Sequence, residues 1–125
     1  MTSNDEIFFF DSYAIFEIIR GNPAYERYIS MKIILTKLNL FEIFYNILKE
    51  YGQEKATIYL NKYWDFSVDF DKDIIEAAAS FRFLNKNKRL SMADSIGYVI
   101  AMKYGIKFLT GDKEFENIPN VEFIK

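Results

Sequence analysis

Four acids in this 125-residue sequence stand where carboxylates can act together. Asp11 directly follows the apolar run Ile7-Phe8-Phe9-Phe10, and Asp112 follows Ile106-Lys107-Phe108-Leu109 after Thr110 and Gly111. Glu42 is enclosed in Leu40-Phe41-Glu42-Ile43-Phe44, and Asp94 closes Ser91-Met92-Ala93-Asp94. Crowded carboxylates repel one another, and a partly desolvated one is costly unless it is paired, so a single-sign cluster calls for a cation. The chain has no His and no Cys. That removes the usual general base, the usual zinc and copper ligands, thiolate sites, disulfides and every Ser-His-Asp or Cys-His arrangement. The remaining oxygen donors favour Mg²⁺ or Mn²⁺ over softer metals. Such an ion acidifies water and steadies charge on a phosphoryl oxygen, and phosphodiester hydrolysis is the reaction this chemistry suits best.

Each acid taken alone also has a structural reading. Asn39-x-x-Glu42 resembles a capping box, Ser91-x-x-Asp94 fits that motif more closely, Asp11 can cap a following helix, and Thr110-Gly111-Asp112 can form a turn. Caps of this kind contribute only about 1 kcal/mol each. It is the set of four that points to a site.

The elements that must position these acids alternate along the chain. Apolar runs at 7–10, 33–35, 66–70, 106–109 and 121–124 read as strands. The first, second and fourth are apolar on both faces, as doubly covered strands are, and the others alternate like half-buried or edge strands. Between them lie helical spacings. Tyr13 to Arg20 ends at Gly21-Asn22, and Pro23 opens a short second helix; Leu40 to Tyr51 stops at Gly52; Gln53 to Tyr63 follows. Asp71 can cap a helix carrying Ile74, Ile75, Ala78, Phe81 and Leu84, and Met92 to Tyr104 closes at Gly105. This order predicts an α/β domain with a mainly parallel sheet and right-handed crossovers. In such sheets ligands bind beyond the carboxyl ends of the strands, where the following helices begin, so all four acids can converge on one edge.

Composition bounds the rest. Half the residues are hydrophobic, with 5 Gly and 2 Pro, and no linker or repeat divides the chain, so a single domain over residues 1–125 is expected. Sixteen Lys and Arg against 18 Asp and Glu give a net charge of −2, which argues against broad electrostatic adhesion to nucleic acid or membrane. Apolar stretches fall short of a bilayer span, and the start Met1-Thr2-Ser3-Asn4-Asp5-Glu6 lacks the basic segment of a secretory signal. The expectation is a soluble, cytoplasmic protein.

Phe10-Asp11-Ser12, Leu40-Phe41-Glu42-Ile43, Leu90-Ser91-Met92-Ala93-Asp94-Ser95-Ile96 and Phe108-Leu109-Thr110-Gly111-Asp112-Lys113-Glu114-Phe115 together resemble the PIN-domain ribonucleases. The likeness is greatest to the small stand-alone VapC-type toxins of toxin–antitoxin pairs, and it covers the chain from about Ile7 to Ile124. The two C-terminal motifs and the spacing between Asp94 and Asp112 are its specific part. The resemblance implies a three-layer α/β/α sandwich with strand order 3-2-1-4-5. It also implies an acidic pocket in which Asp11, Glu42, Asp94 and Asp112 bind one or two divalent ions. Ser12 and Thr110 would be pocket hydroxyls orienting a ligand or water, and Glu114 an auxiliary acid or simply a helix-turn residue. An RNA substrate, a cognate antitoxin whose tail enters the groove, and a homodimer are implied in the same way. Gly97 departs from the family pattern, in which a larger apolar residue is usual.

Asn85-Lys86-Asn87-Lys88-Arg89 is the one concentrated basic segment. It reads either as a solvated loop with helix-end cations or as a contact in which Lys86, Lys88 and Arg89 meet RNA phosphates. The aromatic residues, Tyr13, Phe16, Tyr45 and Trp64 among them, read mainly as core or interface. Two rivals to the nuclease stand: a PIN-like module that binds RNA or protein without cutting, and a receiver-like signalling domain, also a parallel α/β fold with acids at strand ends. A receiver should carry an acidic pair after its first strand, whereas Asp11 is followed by Ser12.

Overall fold

The computed structural model describes residues 6–125, so the Met1 to Asp5 start lies outside the described residues. The chain forms β1 (Ile7–Phe10), α1 (Ser12–Ile19), a 3₁₀ segment (Pro23–Tyr28), β2 (Lys32–Ile34), α2 (Lys37–Tyr51), α3 (Gln53–Trp64), α4 (Lys72–Leu84) and α5 (Met92–Tyr104). It finishes with β3 (Lys107–Thr110), a 3₁₀ turn (Lys113–Phe115) and β4 (Val121–Phe123). The strands form one sheet in the order β2-β1-β3-β4, and every pairing is parallel.

Alternation of side chains along β1 assigns the two faces. Phe8 and Phe10 pack with Ala14, Ile15 and Phe16 of α1, Leu40, Ile43 and Ile47 of α2, and Ala56 and Tyr63 of α3. Phe9 points the other way, into a core with Ile74 and Ala78 of α4, Ile96, Ile100 and Ala101 of α5, and Phe108 of β3. Helices on both faces of a parallel sheet bury strands from two sides, which is why β1 and β3 read as continuous apolar runs. The result is the expected three-layer α/β/α sandwich. Among the described residues no helix is long and apolar enough to cross a membrane.

The expected third strand at Phe66 to Phe70 is reduced to a single bridge, Leu35 with Ser67. Val68 donates to the Leu35 carbonyl at 2.8 Å and Leu35 donates to that of Phe66 at 3.3 Å. Pairing stops there because Phe66 and Asp69 are exposed and Asp71 already accepts from the Ile74 amide to begin α4. The bridge lies beside β2, where the order 3-2-1-4-5 puts its third strand, and the other four strands follow that order.

Gly97 of α5 faces the sheet. A Cβ there would stand 2.5 Å and 2.7 Å from ring atoms of Phe9 and 3.2 Å from Phe108. These two rings stack at 5.6 Å between centroids and fill the space that a larger residue at position 97 would occupy.

Candidate functional site

Parallel pairing carries the ends of β1 and β3 to one edge, and the starts of α1, α2 and α5 meet them there. Asp11 leaves β1 with its amide donating to the Leu109 carbonyl at 3.2 Å. Its Oδ1 accepts from the Ala14 amide at 2.8 Å, capping α1, and only 2% of the residue is exposed. Asp94 forms the capping box of α5: its Oδ2 accepts from the Ser91 amide at 2.9 Å while its own amide donates to Ser91 Oγ at 3.0 Å. Asp112 follows β3, donates its amide to Thr110 Oγ1 at 3.0 Å, and accepts from the Glu114 amide at 3.0 Å through Oδ1.

Glu42 is held differently. The capping box of α2 begins at Thr36 and ends at Asn39, one turn earlier than the Asn39-x-x-Glu42 reading of the sequence. Glu42 is thereby released from capping, and its Oε1 accepts from the Ser12 hydroxyl at 2.5 Å. Ser12 Oγ in turn accepts from Asn39 Nδ2 at 3.1 Å, and Asn39 Oδ1 accepts from the Thr36 amide at 2.9 Å. A polar chain thus runs from the start of α2 through α1 to the Glu42 carboxylate.

Asp11, Glu42, Asp94 and Asp112 all line one cleft of about 380 Å³, together with Ser12, Tyr13, Phe41, Tyr45, Asn46 and Ser91. The acids feel one another electrostatically. Burial pushes Asp11 well above the usual carboxylate range, the Thr110 hydroxyl and Ala14 amide pull it back, and the charges of Asp94 and Asp112 raise it further. Burial likewise raises Asp94 to about 6, opposed by its bonds to Ser91 and aided by repulsion from Glu42 and Asp112. Each acid accepts one or two local bonds, and a carboxylate has about four lone-pair sites, so acceptor capacity remains for a cation.

The donor set, oxygen only and of one sign, fits a hard divalent ion. The arrangement is not a closed cage: among the described residues no group of three acids is drawn close enough to hold an ion as it stands.

The other expected residues are placed apart from the cleft wall. Thr110 is fully buried and bonds to Asp11 and to the Asp112 amide, so it orients acids and does not face a ligand. Glu114 Oε1 accepts from the Arg89 amide at 3.1 Å, tying the basic segment to the Asp112 turn. Lys86, Lys88 and Arg89 line a neighbouring, more apolar cleft of about 730 Å³ with Arg82 and Phe83. Residues at the start of α5 line both clefts, Leu90 and Met92 the one and Ser91 and Asp94 the other. Sequence reasoning missed Asn39 as an orienting residue and Phe41 as a cleft residue. A polar residue three positions after Thr36 was the available signal for Asn39.

The PIN domain profile matches residues 8–121, from β1 into β4 and across all four acids. The chain belongs to the PIN-domain family. That membership sets aside the receiver-like alternative. Among solved structures, a toxin–antitoxin complex from Klebsiella pneumoniae contains a chain similar to this PIN domain, with TM-score 0.72, 18% identity, and coverage of 92% of this chain and 95% of that one. A chain of VapBC2 from Rickettsia felis, a complex bound to a DNA fragment from its promoter, gives TM-score 0.71 and 17% identity over 95% and 99%. At these identities the likeness is one of fold. No curated protein matches the sequence.

Proposed function

We propose that this PIN domain is a divalent-metal-dependent endoribonuclease and the toxin of a toxin–antitoxin pair, acting in the cytoplasm. The observation that carries the reading is the convergence of Asp11, Glu42, Asp94 and Asp112, from four separate segments, on one cleft at the carboxyl edge of the sheet. Those four acids would hold Mg²⁺ or Mn²⁺. When bound, such an ion supplies Lewis acidity, which activates water and steadies charge on the phosphodiester. The chain's own residues do the rest. Ser12, backed by Asn39, fixes the Glu42 carboxylate, and Thr110 and the Ala14 amide fix Asp11. The Ser91 amide fixes Asp94 at the start of α5, and Asp112 accepts from the Glu114 amide. Lys86, Lys88 and Arg89 would meet RNA phosphates along the adjoining cleft, and replacing them with Ala should flatten the salt dependence of RNA binding.

Support for the toxin role comes from the fold neighbours, both determined within toxin–antitoxin complexes. A cognate antitoxin and a homodimer follow from that role, and light scattering of the purified protein reads the latter. A second reading, a PIN domain that binds RNA or protein without cutting, is favoured by one observation: Asp11, Asp94 and Asp112 each serve a cap.

Cleavage of a mixed-sequence single-stranded RNA decides between them. Wild type should cut with Mg²⁺ or Mn²⁺ and not with EDTA, and Asp94→Asn should lose at least 100-fold in rate, on the order expected when a metal-holding acid is neutralised. Equal rates in wild type and Asp94→Asn would rule out the carboxylate mechanism.

A further inference from the structure

The wall of the acid cleft carries two aromatic rings that the core does not use. Phe41 is 73% exposed and Tyr45 is 52% exposed, and both line the cleft beside the four acids. They lie one turn apart on α2 and so are neighbours on its surface, and Glu42 lines the same cleft. Their neighbours Leu40, Ile43 and Ile47 are buried in the core, whereas Phe41 and Tyr45 belong to neither core cluster. Lys49 Nζ stands 4.7 Å from the Tyr45 ring centroid and lines a neighbouring cleft that shares Ser12, Tyr13 and Asn46 with the acid cleft.

Electrostatics explains what such a wall is for. Four carboxylates line this cleft and the whole chain carries a net charge of −2, so a polyanion gains little there from charge alone. The face of an unpaired base is uncharged and stacks on an aromatic ring whatever the base. A duplex hides those faces, and only a single strand can offer them.

We propose that Phe41 and Tyr45 form a base-stacking wall through which the acid cleft selects unpaired RNA, with Lys49 beside the adjoining phosphate. The inference rests on the ribonuclease reading and adds the residues that discriminate single strand from duplex.

The test is fluorescence anisotropy with a 5′-labelled 12-nucleotide RNA, single-stranded and annealed to its complement. It uses the full chain carrying Asp94→Asn, with Mg²⁺, so that no strand is cut. The single strand should bind at least tenfold more tightly than the duplex. Phe41→Ala and Tyr45→Ala should each weaken single-strand binding about tenfold, within the range for loss of one stacking ring, while leaving the slope of affinity against salt unchanged. Phe41→Trp should restore binding, and Phe41→Leu should not. Both positions are exposed, so each variant should fold, and circular dichroism checks that it does.

Alanine variants that bind as well as the parent, equal affinity for duplex, or full rescue by Phe41→Leu would each overturn the stacking wall. If Phe41→Ala spares RNA binding but lowers the mass measured by light scattering, the wall belongs to a second copy of the chain and the proposal fails. No RNA binding by the parent chain or by wild type in Ca²⁺ would instead overturn the ribonuclease reading beneath it.

Discussion

Ser12 sits at the most informative point of the cleft, because its hydroxyl donates to Glu42 and accepts from Asn39 at the same time. Removing that hydroxyl leaves the fold intact and the Glu42 carboxylate unanchored. Ser12→Ala should therefore lower turnover about 10-fold or more while shifting stability by under about 1 kcal/mol, read from single-turnover cleavage beside urea denaturation. Asn39→Ala should go further, since it removes the same support and the capping box of α2. The four acids were legible in the sequence because each abuts an apolar run or a helix start whose position the residue pattern fixes. Asn39 was not, since the choice between a box at Thr36 and one at Asn39 depends on where β2 lets go of the chain. Thr110 was legible as a residue near the site, but its burial under Asp11 depends on the sheet being assembled.

At the scale of elements, the contact of α5 with the sheet is set by two phenylalanines and a missing side chain. Gly97→Ala drives a methyl group into the Phe9 and Phe108 rings, and the backbone of α5 must shift to admit it. The expected cost is roughly 1–3 kcal/mol in urea denaturation, as for overpacking of a filled core. Asp94 lies on that same helix, so the shift should also reduce cleavage. Helices and central strands were legible because their period and their punctuation agree: Gly105, for example, ends α5 in a left-handed conformation at φ 67°. The segment from Phe66 to Phe70 reads as a strand from its alternation alone. Alternation records which side chains suit a half-buried surface, and it says nothing of how soon Asp71 will claim the chain for a helix. The exposure of Phe41 and Tyr45 was hidden for a related reason, since aromatic residues at helical spacing usually face a core.

For the whole molecule, the acid cleft makes stability depend on pH and on metal together. Asp94 is raised from an ordinary carboxyl value to about 6, so the native state binds its proton more tightly than the unfolded chain does. That contribution is fully present below about pH 4 and is lost as pH rises through 6. Metal-free wild type should fall behind Asp94→Asn by on the order of 1–3 kcal/mol between pH 4 and 7. Mg²⁺ should reverse the trend in wild type, raising Tm more at pH 7 than at pH 5, because binding favours the ionised acids. Thermal unfolding at three pH values, with EDTA and with Mg²⁺, checks both signs. A Tm difference between wild type and Asp94→Asn that stays flat with pH would contradict the burial of Asp94.

Three of the four acids hold their own helix or turn in place, and that double employment bears on how such a protein could lose its activity in the course of descent. Asn and Ser cap helices about as well as Asp, so drift at positions 11, 94 or 112 could silence the chemistry while the fold persists. An Asp at any of them is no proof of a working nuclease. Among the described residues Glu42 caps nothing, and its carboxylate is anchored by Ser12. A lineage that has abandoned cutting has the least structural reason to keep an acid there, which makes position 42 the one to inspect first in any PIN domain of this shape.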